Sequence, residues 1–509
     1  MPKITRRSFL ATGSVAAGIV TAGGLKDSLS ASEAGGSSQQ HGKPKNVLLV
    51  MSDQHRQHAL GIDGDPIAKT PNLDAFARTA VRFDNAYCTQ PLCAPSRASF
   101  NTGLYVHNQH VYNNTTPWPF EHKTIADHLS AAGYMTALIG KMHFVDAQNH
   151  GFNYRLGFND WFQYLGPKTQ RYAEELADPN NGDGLPQVES LWDKEGNPWS
   201  GTFQRDDRLG LVSTGRVSSL EEKDHFESFV TRESIRFLRD YGTKRPFFLL
   251  ASFLKPHDPF MPARRFGRMF LPQDMKLPPT WGKVDLSTVP NQIRERIERY
   301  WLIPEVHNPE QARKYMAFYS ACLAQMDDNV GKILRALKEL NLDQDTIVVY
   351  TSDHGEMLGA HGLWQKECFY EPSVGVPLMF RVPGMTPANV RCKTPASLVQ
   401  LLATLVDLCG LPVPTDQDGT SLVPNLRNPG QTMDTTVFSE NFLNSPRAGY
   451  MIRRGNYKYC YYVNDMPELY DLSSDPEEMK NLAILPKYKG KVEEMKAQLF
   501  AWHRPQEAV

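Results

Sequence analysis

Apolar runs that end abruptly at polar residues punctuate this chain. Residues 47–51 run without interruption into Ser52-Asp53-Gln54, and residues 346–351 run into Ser352-Asp353-His354. A continuous apolar run of this length predicts a strand buried on both faces, the kind that parallel sheets use. Helical patterns separate such runs: 124–132 precedes 135–139, 227–241 precedes 247–253, and 319–340 precedes 346–349. Within 319–340, Val330, Ile333, Leu334 and Leu337 recur at three-to-four spacing and mark one buried face. Strand and helix in alternation predict an α/β fold around a large, mostly parallel central sheet flanked by helices. Open sheets of this kind bind ligands beyond the carboxyl ends of their strands, where Asp53 and Asp353 both fall.

Between residues 151 and 220 the pattern lapses into polar, Gly- and Pro-bearing sequence with scattered Trp161, Phe162, Tyr164, Trp192 and Trp199. This reads as an elaborated surface insertion in a catalytic domain spanning 45–385. Its aromatics either stack on sugar rings or pin a long loop to the body. After Pro383-Gly384 come one apolar helix, 397–408, and short strands at 449–453 and 457–462. They predict a smaller carboxyl-terminal α+β subdomain, 386–509, containing an antiparallel sheet. At the amino end, Thr5-Arg6-Arg7-Ser8-Phe9-Leu10 leads into a weakly apolar stretch and then small residues near 28–34. Residues 1–34 thus resemble a twin-arginine export signal, and Gly35-Gly36-Ser37-Ser38 opens a flexible linker, 35–44. The expectation is delivery by export machinery to the periplasm or exterior of a bacterium. The apolar stretch is too short and too rich in Gly, Ala, Ser and Thr for stable membrane insertion.

A chain of 509 residues, 41% hydrophobic and 10% aromatic, can bury a large core. Its 56 acidic residues nearly cancel 55 basic ones, so no basic face for nucleic acid or anionic lipid is announced and recognition is expected to be local. Seven cysteines, at 88, 93, 322, 368, 392, 409 and 460, are too few and too irregular for a disulfide framework.

Cys93 alone, in Cys93-Ala94-Pro95-Ser96-Arg97, reads as a loop thiol near a helix start. Two other groups change that reading. Asp53-Gln54 and Asp353-His354 concentrate carboxylates at one sheet edge, where they repel unless a cation neutralises them. Asp, Gln, Asp and His without a thiolate set favour calcium or magnesium over structural zinc, and the His354 nitrogen leaves manganese open. Arg97, Lys141, His143, His257 and Lys366 follow apolar strands as well. A cation with several Lys, Arg and His side chains describes a pocket for a tetrahedral oxyanion.

The segment Cys93-Ala94-Pro95-Ser96-Arg97, followed at fixed spacing by Thr102-Gly103, resembles the signature of the type I sulfatases, of alkaline-phosphatase-like fold. The resemblance extends through Gly140-Lys141-Met142-His143, Ser352-Asp353-His354-Gly355-Glu356 and Glu468-Leu469-Tyr470-Asp471-Leu472. It implies that a formylglycine-generating maturation enzyme oxidises Cys93 to formylglycine (3-oxoalanine), whose hydrate attacks the sulfur of a sulfated small-molecule or carbohydrate ester. It further implies that Asp53, Gln54, Asp353 and His354, with residue 93, hold the cation. Arg97 then braces the hydrate, Lys141 and His143 hold sulfate oxygens, and His257 with Lys366 sits near the leaving oxygen, His257 as general acid. Many relatives carry Asp at the position of Gln54 and a basic residue at that of Leu104. Phosphonate and phosphodiester hydrolases of the superfamily share the metal site but tend to replace the Lys-x-His pair. Lys141 and His143 therefore favour sulfate. A non-catalytic binder of sulfated ligands would have no need of Cys93 in this context.

Overall fold

Each long apolar run becomes a strand buried along its length. The computed structural model describes residues 45–144, 148–170, 217–301 and 307–505. The expected signal (1–34), the linker (35–44), Trp192 and Trp199 lie outside them. In chain order the strands of the main sheet and its neighbours are β1 (Asn46–Asp53), β2 (Val81–Phe83), β3 (Ala86–Tyr87), β4 (Met135–Gly140), β5 (Tyr154–Leu156), β6 (Phe247–Pro256), β7 (Thr346–Ser352), β8 (Leu378–Arg381), β9 (Val390–Cys392) and β10 (Ala396–Ser397). Among the described residues, eight of them form one sheet in the order β5-β4-β6-β1-β7-β8-β2-β9. Every neighbouring pair is parallel except the two made by β8, which runs against β7 and β2. Hydrophobic pattern cannot report strand direction, so the reversal at β8 was not foreseeable from it.

Side chains alternate across each strand, and both faces of this sheet are covered. Val47, Leu49 and Met51 of β1 join a core with Phe100, Ile125, Leu129, Leu401 and Leu405, from helices Cys93–Thr102, Ile125–Ala131 and Leu401–Leu408. Leu48 and Val50 face the other way, onto Phe229, Phe237, Val330, Ile333 and Leu337 of helices Phe226–Tyr241 and Pro309–Glu339. Each such side chain, fully buried, contributes about 1.5–3 kcal/mol. The long helix starts ten residues before its amphipathic pattern becomes obvious. Its start signal is Asn308, whose side chain accepts from the N–H groups of Glu310 and Gln311, with Pro309 in the first turn.

The structure moves two expected boundaries. Residues 154–165, read as insertion, belong to the main body: β5 pairs with β4, and helix Phe158–Leu165 buries Trp161, whose Nε1 donates to Asp224 O at 2.8 Å. A three-residue edge strand carries no apolar run to announce itself. Helix Leu401–Leu408, read as carboxyl-terminal, packs in the same core as β1.

The carboxyl-terminal part does form an antiparallel sheet, β11 (Thr436–Asn441), β12 (Gly449–Arg454), β13 (Tyr457–Tyr462) and β14 (Glu468–Asp471). Tyr450, Ile452, Tyr459 and Leu469 pack beneath helix Lys489–Trp502, while Val437, Met451 and Cys460 enter the main core. A buried polar join reinforces this contact. Lys458 Nζ, fully buried, donates to Phe369 O (2.7 Å) and Glu371 Oε1 (2.8 Å) and pairs closely with Glu478. Lys458→Met is expected to strand the buried Glu478 carboxyl and to weaken the hold on Glu371, which keeps Arg453, at a cost of about 3–5 kcal/mol. Lys491→Met, which breaks a surface pair with Glu494 and an exposed contact with the Tyr457 ring, is expected to cost less than about 1 kcal/mol. Urea unfolding midpoints of the two variants check the contrast.

Candidate active site

β4, β6, β1 and β7 are adjacent and parallel, so their carboxyl ends share one edge of the sheet. Asp53 ends β1 and Asp353 follows β7. Lys141 and His143 follow β4, and His257 follows β6. Gly140 permits the exit from β4: its φ is +119°, and a Cβ there would fall on the Ser252 carbonyl oxygen that Lys141 N bonds at 2.9 Å. Helix Cys93–Thr102 brings Cys93 in at its first turn. The structure thus brings every sequence-predicted site residue to one edge.

Arg97 occupies the centre. Its Nε donates to Asp353 Oδ2 at 2.8 Å and its Nη2 to Asp53 Oδ2 at 3.1 Å. Nη1 spans Lys141 O (3.0 Å) and Ser252 Oγ (2.9 Å). Asp53 also pairs closely with Lys141 Nζ. Burial and the facing Cys93 push the Asp53 carboxyl up, but Lys141, His257 and Arg97 together hold it well below the usual range. Asp353 ends raised, by burial and by the charge of Asp53.

Cys93 Sγ lies 3.1 Å from His354 Nε2, 3.5 Å from Lys141 Nζ and 3.9 Å from Asp53 Oδ1. Burial raises a thiol, yet Lys141, Lys366 and His354 and a hydrogen bond with His143 outweigh it and hold Cys93 well below the ordinary thiol value. His143 itself is lowered to about 4, by burial and by Lys141. Ser96 Oγ donates to Asp353 O at 2.6 Å, and Asn114 Oδ1 accepts from Ala94 N at 3.0 Å, so the helix start is fastened to both sides of the site.

Gln54, at φ +67°, is clamped by three residues. Its Nε2 donates to Glu356 Oε2 (2.5 Å) and Asp258 Oδ1 (3.3 Å), and its Oε1 accepts from Lys366 Nζ (2.5 Å). Lys366 Nζ also donates to His257 Nε2 at 2.9 Å, while His257 Nδ1 meets Asp258 O at 2.5 Å. Lys366 and His257 thus lie within reach of one shared proton. Burial opposes the Lys366 charge, but the anionic Cys93, Asp53, Asp258 and Asp353 raise its pKa above the usual ammonium value.

The donor chemistry fits a hard divalent cation. Asp53 Oδ1 lies 3.9 Å from His354 Nε2, and Asp353 Oδ1 lies 3.7 Å from the same nitrogen. These gaps exceed hydrogen bonds and match donors arranged around one ion with bonds of about 2.3–2.6 Å. His354 Nδ1 donates to Gly355 O at 2.9 Å, which turns the Nε2 lone pair toward that space. Sequence reasoning assigned no role to Ser252, Asn114, Glu356 or Asp258. Glu356 closes the segment 352–356 and Asp258 adjoins His257, whereas Ser252 hides in an apolar run and Asn114 in a polar loop.

A mostly parallel sheet flanked by helices, with carboxylate, imidazole and cationic side chains gathered at its carboxyl edge, is of the alkaline-phosphatase-like fold. Residues 45–411 match the family model described as Sulfatase, and residues 359–504 match that of the N-sulphoglucosamine sulphohydrolase C-terminal region. The chain is 31% identical over 465 residues to a choline-sulfatase of Rhizobium meliloti (strain 1021), covering 88% of this chain and 83% of that protein. It is 26% identical over 517 residues to an N-acetylglucosamine-6-O-sulfatase of Bacteroides thetaiotaomicron, covering 89% and 85%. The solved phosphonate monoester hydrolase of Agrobacterium radiobacter matches at 25% identity with a TM-score of 0.73, over 91% of this chain and 97% of that one. The chain belongs to the sulfatase family and is a hydrolase acting on sulfuric esters.

The electrostatics around Cys93 give a measurable consequence in protein that retains the thiol. Thiolate ultraviolet absorbance, taken as the difference from Cys93→Ser, is expected to titrate well below the ordinary thiol range. Lys141→Met removes a stabilising positive charge, so the same titration moves to higher pH.

Proposed function

We propose that this enzyme removes sulfate from a sulfated carbohydrate, using a formylglycine at position 93 and a bound calcium ion. The observation that carries the proposal is the setting of Cys93: buried at a helix start, against His354 and Lys141, above two carboxylates joined by Arg97. The choice of a carbohydrate draws support from the N-acetylglucosamine-6-O-sulfatase relative. Magnesium and manganese suit the same donors.

Asp53, Asp353, His354 and Gln54 would hold the cation, and Gln54 Oε1 has a lone pair left beside the one Lys366 takes. A hard divalent cation there would lower the pKa of a coordinated hydroxyl and neutralise sulfate charge. Formylglycine would supply, as its hydrate, an oxygen nucleophile toward sulfur and a second hydroxyl whose deprotonation releases sulfate. Arg97 fixes the carboxylates so that neither turns away. Lys141 and His143 bind sulfate oxygens. His257 and Lys366 hold one proton between them, and that proton goes to the departing alcohol oxygen as the S–O bond breaks. In this reading His257 acts together with Lys366, whose Nζ lies 2.9 Å from His257 Nε2.

A separate maturation enzyme with its own oxidant would convert Cys93, and residues 1–34 would direct export to the periplasm or exterior. No helix among the described residues is long and apolar enough to cross a membrane. A second reading, phosphonate ester hydrolysis, rests on the likeness to the Agrobacterium radiobacter enzyme. Lys141 and His143 favour sulfate over it.

Protein coexpressed with a maturation enzyme should yield a peptide at residue 93 that has lost sulfur and two hydrogens and gained one oxygen. It should turn over nitrophenyl sulfate faster than a phenyl phosphonate and lose that activity to chelation. Unmodified thiol in an active preparation, or faster phosphonate cleavage, overturns the proposal. His257→Ala is expected to lower kcat for a sulfated sugar by about 10²–10⁴-fold. The loss should be much smaller for nitrophenyl sulfate, whose good leaving group needs no acid, and steady-state rates on both substrates measure the difference.

A further inference from the structure

Apart from the centre described above, one other group of His and acidic side chains among the described residues could share an ion: His107, Glu440 and His503. One donor atom from each lies within 4.8 Å of the others. They come from three distant parts of the chain: the short helix Val106–Gln109, strand β11, and the residue that follows helix Lys489–Trp502. Glu440 is fully buried, and its Oε1 meets His107 Nδ1 at 2.6 Å. The rings of His107 and His503 stack with centroids 4.0 Å apart and planes inclined by 28°, and a nitrogen of each lies within 4.8 Å of the other. Tyr105 and Trp502 pack against His107 from two sides and set its ring. One imidazolium suffices to neutralise Glu440. The second imidazole adds a lone pair rather than a needed charge.

We propose that His107, Glu440 and His503 form a second divalent-cation site, suited to zinc or a similar borderline ion. Two imidazoles and a carboxylate match the donors such ions take, whereas calcium requires six to eight oxygens. A tetrahedral ion with bonds of about 2.0–2.1 Å keeps its donors about 3.4 Å apart. The His107–Glu440 contact therefore opens by under an ångström as the ion enters and the proton between them passes to solvent. Both imidazoles are partly exposed, which gives the ion an entry path and leaves a fourth position for water. The ion ties the end of the last helix to β11 and to the segment just after the Cys93 helix.

The test uses full-length Cys93→Ser protein saturated with calcium, which removes the reactive thiol and fills the first centre. Zinc titrated calorimetrically into this protein should bind with one equivalent more than in the same protein carrying His503→Phe, which keeps the stacked ring and removes the donor. His107→Gln, which keeps a hydrogen bond to Glu440, should lose the same equivalent or bind it at least about tenfold more weakly. Cobalt should give the visible absorption of a tetrahedral histidine site, and His503→Phe should abolish it. Equal zinc stoichiometry in all three proteins, or no zinc bound in the presence of calcium, overturns the proposal.

Discussion

Asp53 and Asp353 end neighbouring parallel strands, so their carboxylates face one another across a space with no exposure to water, and their repulsion grows as solvent is excluded. Arg97 answers this with a guanidinium that reaches both, and Lys141 adds a second cation on Asp53. The compensation is incomplete, because Asp353 stays raised while Asp53 is lowered. One planar guanidinium cannot neutralise two carboxylates whose other oxygens point into a common gap. A cation placed in that gap would relieve the remaining repulsion.

The sheet explains how so many groups meet. Parallel neighbours aim their carboxyl ends the same way, so β4, β6, β1 and β7 deliver Lys141, His257, Asp53 and Asp353 to one edge without any long-range loop. Apolar cover on both faces makes the strands rigid, and their ends inherit that rigidity. Preorganisation of this sort lets fixed dipoles and charges act without reorganising during reaction.

Much of this was legible in the sequence, for a physical reason. Buried strands must be apolar throughout, so 47–51 and 346–351 announce both their burial and the polar residues that end them. The Cys93 signature then pointed to the family. What stayed hidden depends on pairing between distant segments. No spacing rule connects Arg97 with Ser252, or His107 with Glu440 and His503. The edge strand β5 carries Tyr154, Arg155 and Leu156, too short and too polar a run to mark itself. The direction of β8 is set by its connection, which hydrophobicity does not encode.

Gln54 shows how charge outside the immediate centre completes it. An Asp at this position would add a third carboxylate beside Asp53 and Asp353, and a fourth negative group, Glu356, lies directly behind, raised by its burial. The neutral amide resolves this conflict. Its Nε2 donates to Glu356 and Asp258, which turns its oxygen toward the site, and Lys366 donates to that oxygen. Glu356 itself is held by the N–H groups of Leu358 and Gln365, at 2.9 and 2.6 Å, so it cannot swing away. The carboxylate that an Asp would place at position 54 is thus found one side chain outward, at Glu356. There it steadies the amide and, through it, the Lys366 ammonium that shares its proton with His257. In the proposed mechanism the identity of residue 54 would therefore couple cation binding to protonation of the leaving group.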